Sequence, residues 1–191
     1  LWLRGRGRPT TAPTGPVYLS ISAELLNREG LEAQIGEAAQ YRIERAAPAR
    51  PQTVEAIARR LGEAQCPVLI FGDDVWREGA QAEAVSLAEV LEAPVFSTRQ
   101  IFANFPTRHP LYCGTYPIPQ EFATISGLAP DVVFLVGCPG VHGGVAEPCV
   151  MQIGPNPLLM GRHYPLDVAA QCELRETLHN LREALTRRQG S

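Results

Sequence analysis

Residues Pro67 to Val75 read Pro-Val-Leu-Ile-Phe-Gly-Asp-Asp-Val, and no other stretch restricts the fold as tightly. Four apolar residues in a row, Val68 to Phe71, are too few for a helix and suit a strand buried on both faces. Gly72 ends the run, and a helical pattern opens at Gly79. A strand, a glycine turn and a helix form the opening of a doubly wound α/β domain, where ligands sit beyond the carboxyl ends of the strands.

The sequence around this unit continues the same alternation. Val54, Ile57, Ala58 and Leu61 keep the i, i+3, i+4, i+7 spacing of an amphipathic helix. Ala80, Ala84, Leu87, Ala88 and Leu91 mark a second helix, whose small residues let it lie close to a sheet. Ala93–Thr98 is a buried strand, and Pro119 suits the first turn of a third helix with Phe122 and Ile125 inward. Asp131–Gly137 is the most strand-like run, with shorter candidates at Cys149–Ile153 and Leu166–Ala170. A last helix carries Leu174, Leu178, Leu181 and Leu185, with Arg187 and Arg188 placed where positive charge suits the helix dipole. The order β-α-β-α-β-β-α between 52 and 188 predicts a mainly parallel sheet with helices on both faces.

Upstream the texture differs. Residues 9–16 are turn chemistry, and Val17–Ile21 alternates as a strand does. Residues 22–51 hold few large apolar side chains and read as a long connector with at most one weak helical turn. A lone strand before such a connector predicts that it belongs to another domain's sheet.

Composition excludes several classes of function. The 191 residues are 45% apolar, enough to fill one domain's core plus additions, and no run approaches a membrane span. A net charge of −3 gives no global basic field for nucleic acid, and Arg4, Arg6 and Arg8 read as a solvated arm. All 17 basic residues are arginine, which excludes Schiff-base and Walker lysines. Five cysteines at irregular spacing argue against a disulfide framework and a zinc site, so a reducing cytoplasm is the simplest compartment. The opening residues lack both an initiator Met and a signal peptide's apolar stretch, so the sequence reads as cut from something longer.

Two loops follow the strongest strands. Gly72-Asp73-Asp74 admits three readings: a phosphate-cradling turn, a Mg²⁺ site built on adjacent carboxylates, or a structural turn capped by an aspartate and facing solvent. The first is opposed by charge: two carboxylates beside a diphosphate cost several kcal/mol, roughly, in a partly dry site. Gly137-Cys138-Pro139-Gly140-Val141-His142-Gly143-Gly144 lies where a ligand would sit on this sheet. His142, flanked by small residues, is a candidate proton shuttle or hydrogen-bond partner, with an exposed loop histidine as the alternative. Cys138 beside it is either a nucleophile or a small apolar filler. His109 stands in a loop bracketed by Pro106 and Pro110, where substrate contact and packing explain it equally well; His163 and His179 are singletons. No pair of His or acidic residues has metal-ligand spacing on one helix, and no G-x-S-x-G elbow occurs.

In combination, Gly15–Ile21, Pro67–Val75, Leu87-Ala-Glu-Val-Leu-Glu-Ala-Pro-Val95, Phe105-Pro-Thr-Arg-His-Pro-Leu111 and Asp131–Gly137 resemble the thiamine-diphosphate-dependent decarboxylase and carboligase family. The similarity runs from about Thr14 to Leu185. It is nearest to the benzoylformate decarboxylase branch, with acetolactate synthase-like members next. The resemblance implies a chain organised as residues 1–21, the remnant of a pyrimidine-binding domain; 22–51, a linker; 52–188, a complete central domain; and 189–191, a tail. It places the cofactor-activating glutamate upstream, and the pyrophosphate and metal motif, Gly-Asp-Gly followed later by Asn, in a third domain downstream. Gly72-Asp73-Asp74 with Asn104 mimics that motif only superficially, because its third residue is not Gly. Some members hold FAD or CoA in the central domain through a Gly-rich turn where Asp73 and Asp74 stand here, which makes FAD binding unexpected.

The resemblance therefore implies a central-domain fragment, catalytically inert alone, with thiamine diphosphate and Mg²⁺ bound by the parent enzyme rather than by this chain. Its expected partners are the missing domains and further copies in a homo-oligomer, with no nucleic acid or membrane. The cofactor-facing candidates are Gly72, Asp73, Asp74, Gly137, Cys138 and Pro139, with His142 as the one catalytic candidate, by likeness to a loop histidine of the decarboxylase branch. Two further readings stand beside this one: a free-standing nucleotide-binding module of the same sheet topology, and a small hydrolase using Cys138 and His142.

Overall fold

The computed structural model describes residues 18, 20–30, 47–98, 101–116, 127–140, 149–162 and 164–190. The chain divides into two compact units, 1–46 and 47–191. In the first, a four-residue helix, α1 (Ala23–Leu26), starts where Leu25 and Leu26 donate their N–H groups to the Ser22 carbonyl. It falls within the stretch 22–51 read as a connector, of which residues 31–46 lie outside the described residues, and all its residues are exposed. Tyr18 and Ile21 are exposed as well, while Val17 and Leu19 lie outside the described residues, so the strand expected there stays an expectation.

The second unit holds α2 (Pro51–Glu63), β1 (Pro67–Phe71), α3 (Asp73–Arg77), α4 (Gln81–Leu91), β2 (Val95–Ser97), β3 (Tyr112–Thr115), β4 (Val132–Val136), β5 (Cys149–Gly154), β6 (Val168–Gln171) and α5 (Leu174–Gln189). Its strands form one six-stranded sheet in the order β3-β2-β1-β4-β5-β6, and every pairing is parallel. The doubly wound α/β class expected from the sequence is the one found. The order reverses between β1 and β4, which puts the topological switch point beside Gly72 and Gly137.

Strand alternation sorts the core into two layers. Leu69, Phe71, Val95, Phe134, Val136, Met151 and Ile153 face the layer packed by α2, α4 and α5. Val68, Ile70, Phe96, Val133, Leu135 and Val150 face the other layer, where Tyr116, Leu128, Tyr164 and Leu166 are their partly buried neighbours. The third helix expected from Pro119 lies outside the described residues. Helix α2 begins with Pro51 at its first position, where the missing N–H costs nothing, and buries the expected Val54, Ile57, Ala58 and Leu61. Helix α5 is capped by Glu173, whose carboxylate accepts from the N–H groups of Arg175 and Glu176. Its buried Leu174, Leu178, Leu181 and Leu185 each contribute about 2 kcal/mol by area burial.

Two elements depart from the sequence reading. Asp73–Arg77 forms a helix of its own before Gly79, and Tyr112–Thr115 adds a sixth strand at the sheet edge. The second helix runs from Gln81 to Leu91 and is capped by Glu92, which takes the left-handed conformation (φ 49°) usually left to glycine or asparagine.

Candidate functional site: the switch point between β1 and β4

Hydrogen bonds at the ends of β1 and β4 close the switch point from within. The Gly72 N–H donates to the Val136 carbonyl at 2.9 Å, the Asp74 N–H to the Gly137 carbonyl at 3.1 Å, and the Gly137 N–H to the Ile153 carbonyl at 2.9 Å. The two backbones touch. A Cβ placed on Gly72 would stand 2.4 Å from the Gly137 oxygen and 2.4 Å from the Cys138 Cβ. Gly72 is therefore required for close approach, with φ at an ordinary −115°, whereas Gly137 also needs its positive φ of 62°. The expectation that this turn faces solvent is corrected: Gly72 is buried in the crossing.

The two aspartates separate in role. Asp73 does not cap α3, for Gly72 holds the cap position without a side-chain bond. Its carboxylate instead reaches a loop beyond β2, where it accepts from the N–H of Ile101 at 3.1 and 3.2 Å, the N–H of Phe102 at 3.2 Å and Nδ2 of Asn104 at 3.2 Å. Asp74 pairs with Arg77 one helical turn on, at 2.9 Å. Burial raises the pKa of Asp74 above the usual carboxylate value; the hydrogen bond and charge of Arg77 oppose that rise, and the charge of Asp73 adds to it. Trp76 stacks on Phe102 with ring centres 4.3 Å apart and planes within 4°, and the Arg77 guanidinium sits 5.4 Å from the Phe102 centroid.

Cys138 is a core residue of the second layer. Burial pushes its thiol up to about 12, with the charge of Asp74 adding to the rise, so it presents no nucleophilic thiolate. Its carbonyl accepts from Nε2 of Gln152 at 2.9 Å, and Oε1 of the same side chain accepts from the Gly161 N–H at 3.3 Å. Gln152 is buried and joins the loops after β4 and β5, a role the sequence reading missed. The one available signal was a lone amide within the apolar run Cys-Val-Met-Gln-Ile of β5. Pro139 is exposed. His142 and the rest of residues 141–148 lie outside the described residues, as does His163. His109 packs its ring edge against Phe105 and bonds Glu89 at 3.3 Å, and exposed His179 pairs with Glu183 at 3.3 Å.

These residues do not fit a diphosphate at the crossing. The N–H groups of Gly72 and Asp74 already donate within the fold, the two turns leave no room for a Cβ, and an anion would meet Asp73 and Asp74. Among the described residues, no three His, Cys, Asp or Glu side chains are grouped so as to hold a metal ion. No helix among them is long and apolar enough to cross a membrane.

Comparison with known proteins agrees with this architecture. Residues 54–181 match the family described as thiamine pyrophosphate enzyme, central domain. Sulfoacetaldehyde acetyltransferase from Castellaniella defragrans is 40% identical over 91 residues, covering 47% of this chain and 15% of that protein. A probable acetolactate synthase large subunit from Methanocaldococcus jannaschii is 27% identical over 143 residues, covering 71% of this chain and 24% of its own length. Among solved structures, benzoylformate decarboxylase from Polynucleobacter necessarius superposes with a TM-score of 0.76 at 23% identity, a likeness of fold, over 96% of this chain and 35% of that one. The chain thus spans about a quarter or less of the two curated relatives.

Proposed function

We propose that this chain, which belongs to the thiamine pyrophosphate enzyme family through its central domain, is a scaffold and subunit-interface domain that does no chemistry alone. In the parent enzyme, a 2-oxo-acid decarboxylase or carboligase, thiamine diphosphate and Mg²⁺ are held by the pyrimidine- and pyrophosphate-binding domains. The observation that carries this reading is the closed switch point: the Gly72 and Asp74 N–H groups, which a ligand would need there, are bonded to Val136 and Gly137. Residues Gly72, Asp74, Gly137 and Cys138 then serve to lock β1 against β4, and Asp73 ties the start of α3 to the loop beyond β2. Large apolar side chains exposed at Trp76, Ile101 and Leu158 support a role in contacts with other subunits or domains. Five free cysteines support a reducing compartment such as the cytoplasm.

A second reading is favoured by one observation. The strand order 3-2-1-4-5-6 is also that of dinucleotide-binding sheets, so a nucleotide module remains a competitor. Thermal unfolding with FAD, ADP or CoA separates the two. The scaffold reading predicts an unchanged midpoint, and a saturable rise of several degrees with any of them favours the nucleotide module.

A further inference from the structure

Asp73 places its carboxylate where a loop presents converging N–H donors. Ile101 and Phe102 supply consecutive backbone N–H groups, and Asn104 adds its side-chain amide, so Oδ1 alone receives three donors between 3.1 and 3.2 Å. Oδ2 receives a further contact from the Ile101 N–H at 3.2 Å. Successive backbone N–H groups turned to one point form a concavity of positive potential that takes anions. Asn104 is fully buried, and the Phe102 ring packs against both the Trp76 ring and the Arg77 guanidinium, so the donors are held in place before any anion arrives. Asp73 is 28 residues away in sequence from Ile101 and caps nothing in its own helix. Its side chain stands in this loop as a ligand would.

We propose that the turn Ile101–Asn104 is an oxyanion site whose resident is the carboxylate of Asp73, and that the same donors take a small carboxylate from solution once that resident is removed. The built-in carboxylate keeps the site closed to outside anions and ties the end of β2 to the start of α3. The ligand class is a one- or two-carbon carboxylate, since the space released by Asp73→Ala is that of a single carboxyl group.

Formate is the probe. Thermal unfolding of the full chain is followed in formate and, at matched ionic strength, in chloride, for the unaltered protein, Asp73→Ala and Asp73→Ala with Asn104→Leu. The expected result is a lower midpoint for Asp73→Ala, restored saturably by formate, with a rise of about 4 °C once formate stands roughly tenfold above its Kd. The unaltered protein and the double variant should respond to formate no more than to chloride. Equal effects of formate and chloride on Asp73→Ala, or full rescue of the double variant, would overturn the proposal. Should Asp73→Ala fail to fold, Asp73→Asn gives the second measurement. Its Ile101 and Phe102 amide proton resonances should move upfield of those in the unaltered protein as the anionic acceptor is lost, and unchanged resonances would refute the site.

Discussion

Gly72 and Cys138 meet across the switch point so closely that a Cβ on the first would stand 2.4 Å from the Cβ of the second. The contact lets the two central turns bond to each other, and it leaves no gap between them for a ligand.

A methyl group at Gly72 should therefore force the two strand ends apart. Gly72→Ala is expected to lower stability by about 3 kcal/mol, the cost of overpacking where the obstructing atoms include backbone. Gly79→Ala is the control: its φ of 66° costs about 1 kcal/mol, but nothing lies within 4 Å of the added carbon. Urea unfolding midpoints for the two variants should differ clearly, with Gly72→Ala the lower.

Gln152 joins two loops through one amide. Gln152→Met keeps the bulk but removes the donor to the Cys138 carbonyl and the acceptor for the Gly161 N–H. A loss of about 2 kcal/mol is expected, chiefly because the buried Cys138 carbonyl loses its donor. Hydrogen exchange should show the Gly161 amide losing protection more than the amides of α2.

Thiol reactivity should follow burial. Burial raises the Cys138 thiol to about 12 and the Cys172 thiol to about 11, so at pH 8 roughly one Cys138 in ten thousand is thiolate. Cys113 is exposed on β3. Iodoacetamide labelling of the native protein, read by mass spectrometry, should modify Cys113 first and Cys138 last. Comparable rates at the two would contradict the buried placement of Cys138.

Asp131 ties the entry to β1, its carboxylate accepting from the N–H groups of Gln65 at 2.6 Å and Cys66 at 2.9 Å. Desolvation raises its pKa, but hydrogen bonds from the backbone N–H groups of Gln65, Cys66, Asp131 itself and Val132 outweigh that and hold it below the ordinary value of 3.8. A carboxylate depressed in the folded state stabilises the fold above its unfolded pKa, and that contribution disappears as pH falls through the folded value. Stability should therefore drop below about pH 4, and Asp131→Ala should flatten the curve in that window. An identical acid limb in the variant would assign the drop to other carboxylates.

Much of the central sheet was legible because strands buried on both faces write themselves as continuous apolar runs, as in Val68–Phe71 and Val132–Val136. The amphipathic faces of α2 and α5 were legible for the same reason: their buried positions repeat at helical spacing. The edge strand β3 was not, since Tyr-Cys-Gly-Thr alternates only weakly and follows a proline-bracketed loop. Helix α3 hid behind Asp73-Asp74, whose adjacent charges read equally well as a turn. The partner of Asp73 was beyond local reading altogether, because Ile101, Phe102 and Asn104 come to it through the return of the chain along β2.

The proposed scaffold role requires that coenzyme binding be left to other domains of a larger enzyme. Isothermal titration calorimetry of this 191-residue chain with thiamine diphosphate and Mg²⁺ tests that most directly. No saturable heat above dilution is predicted; stoichiometric binding by the chain alone would contradict it.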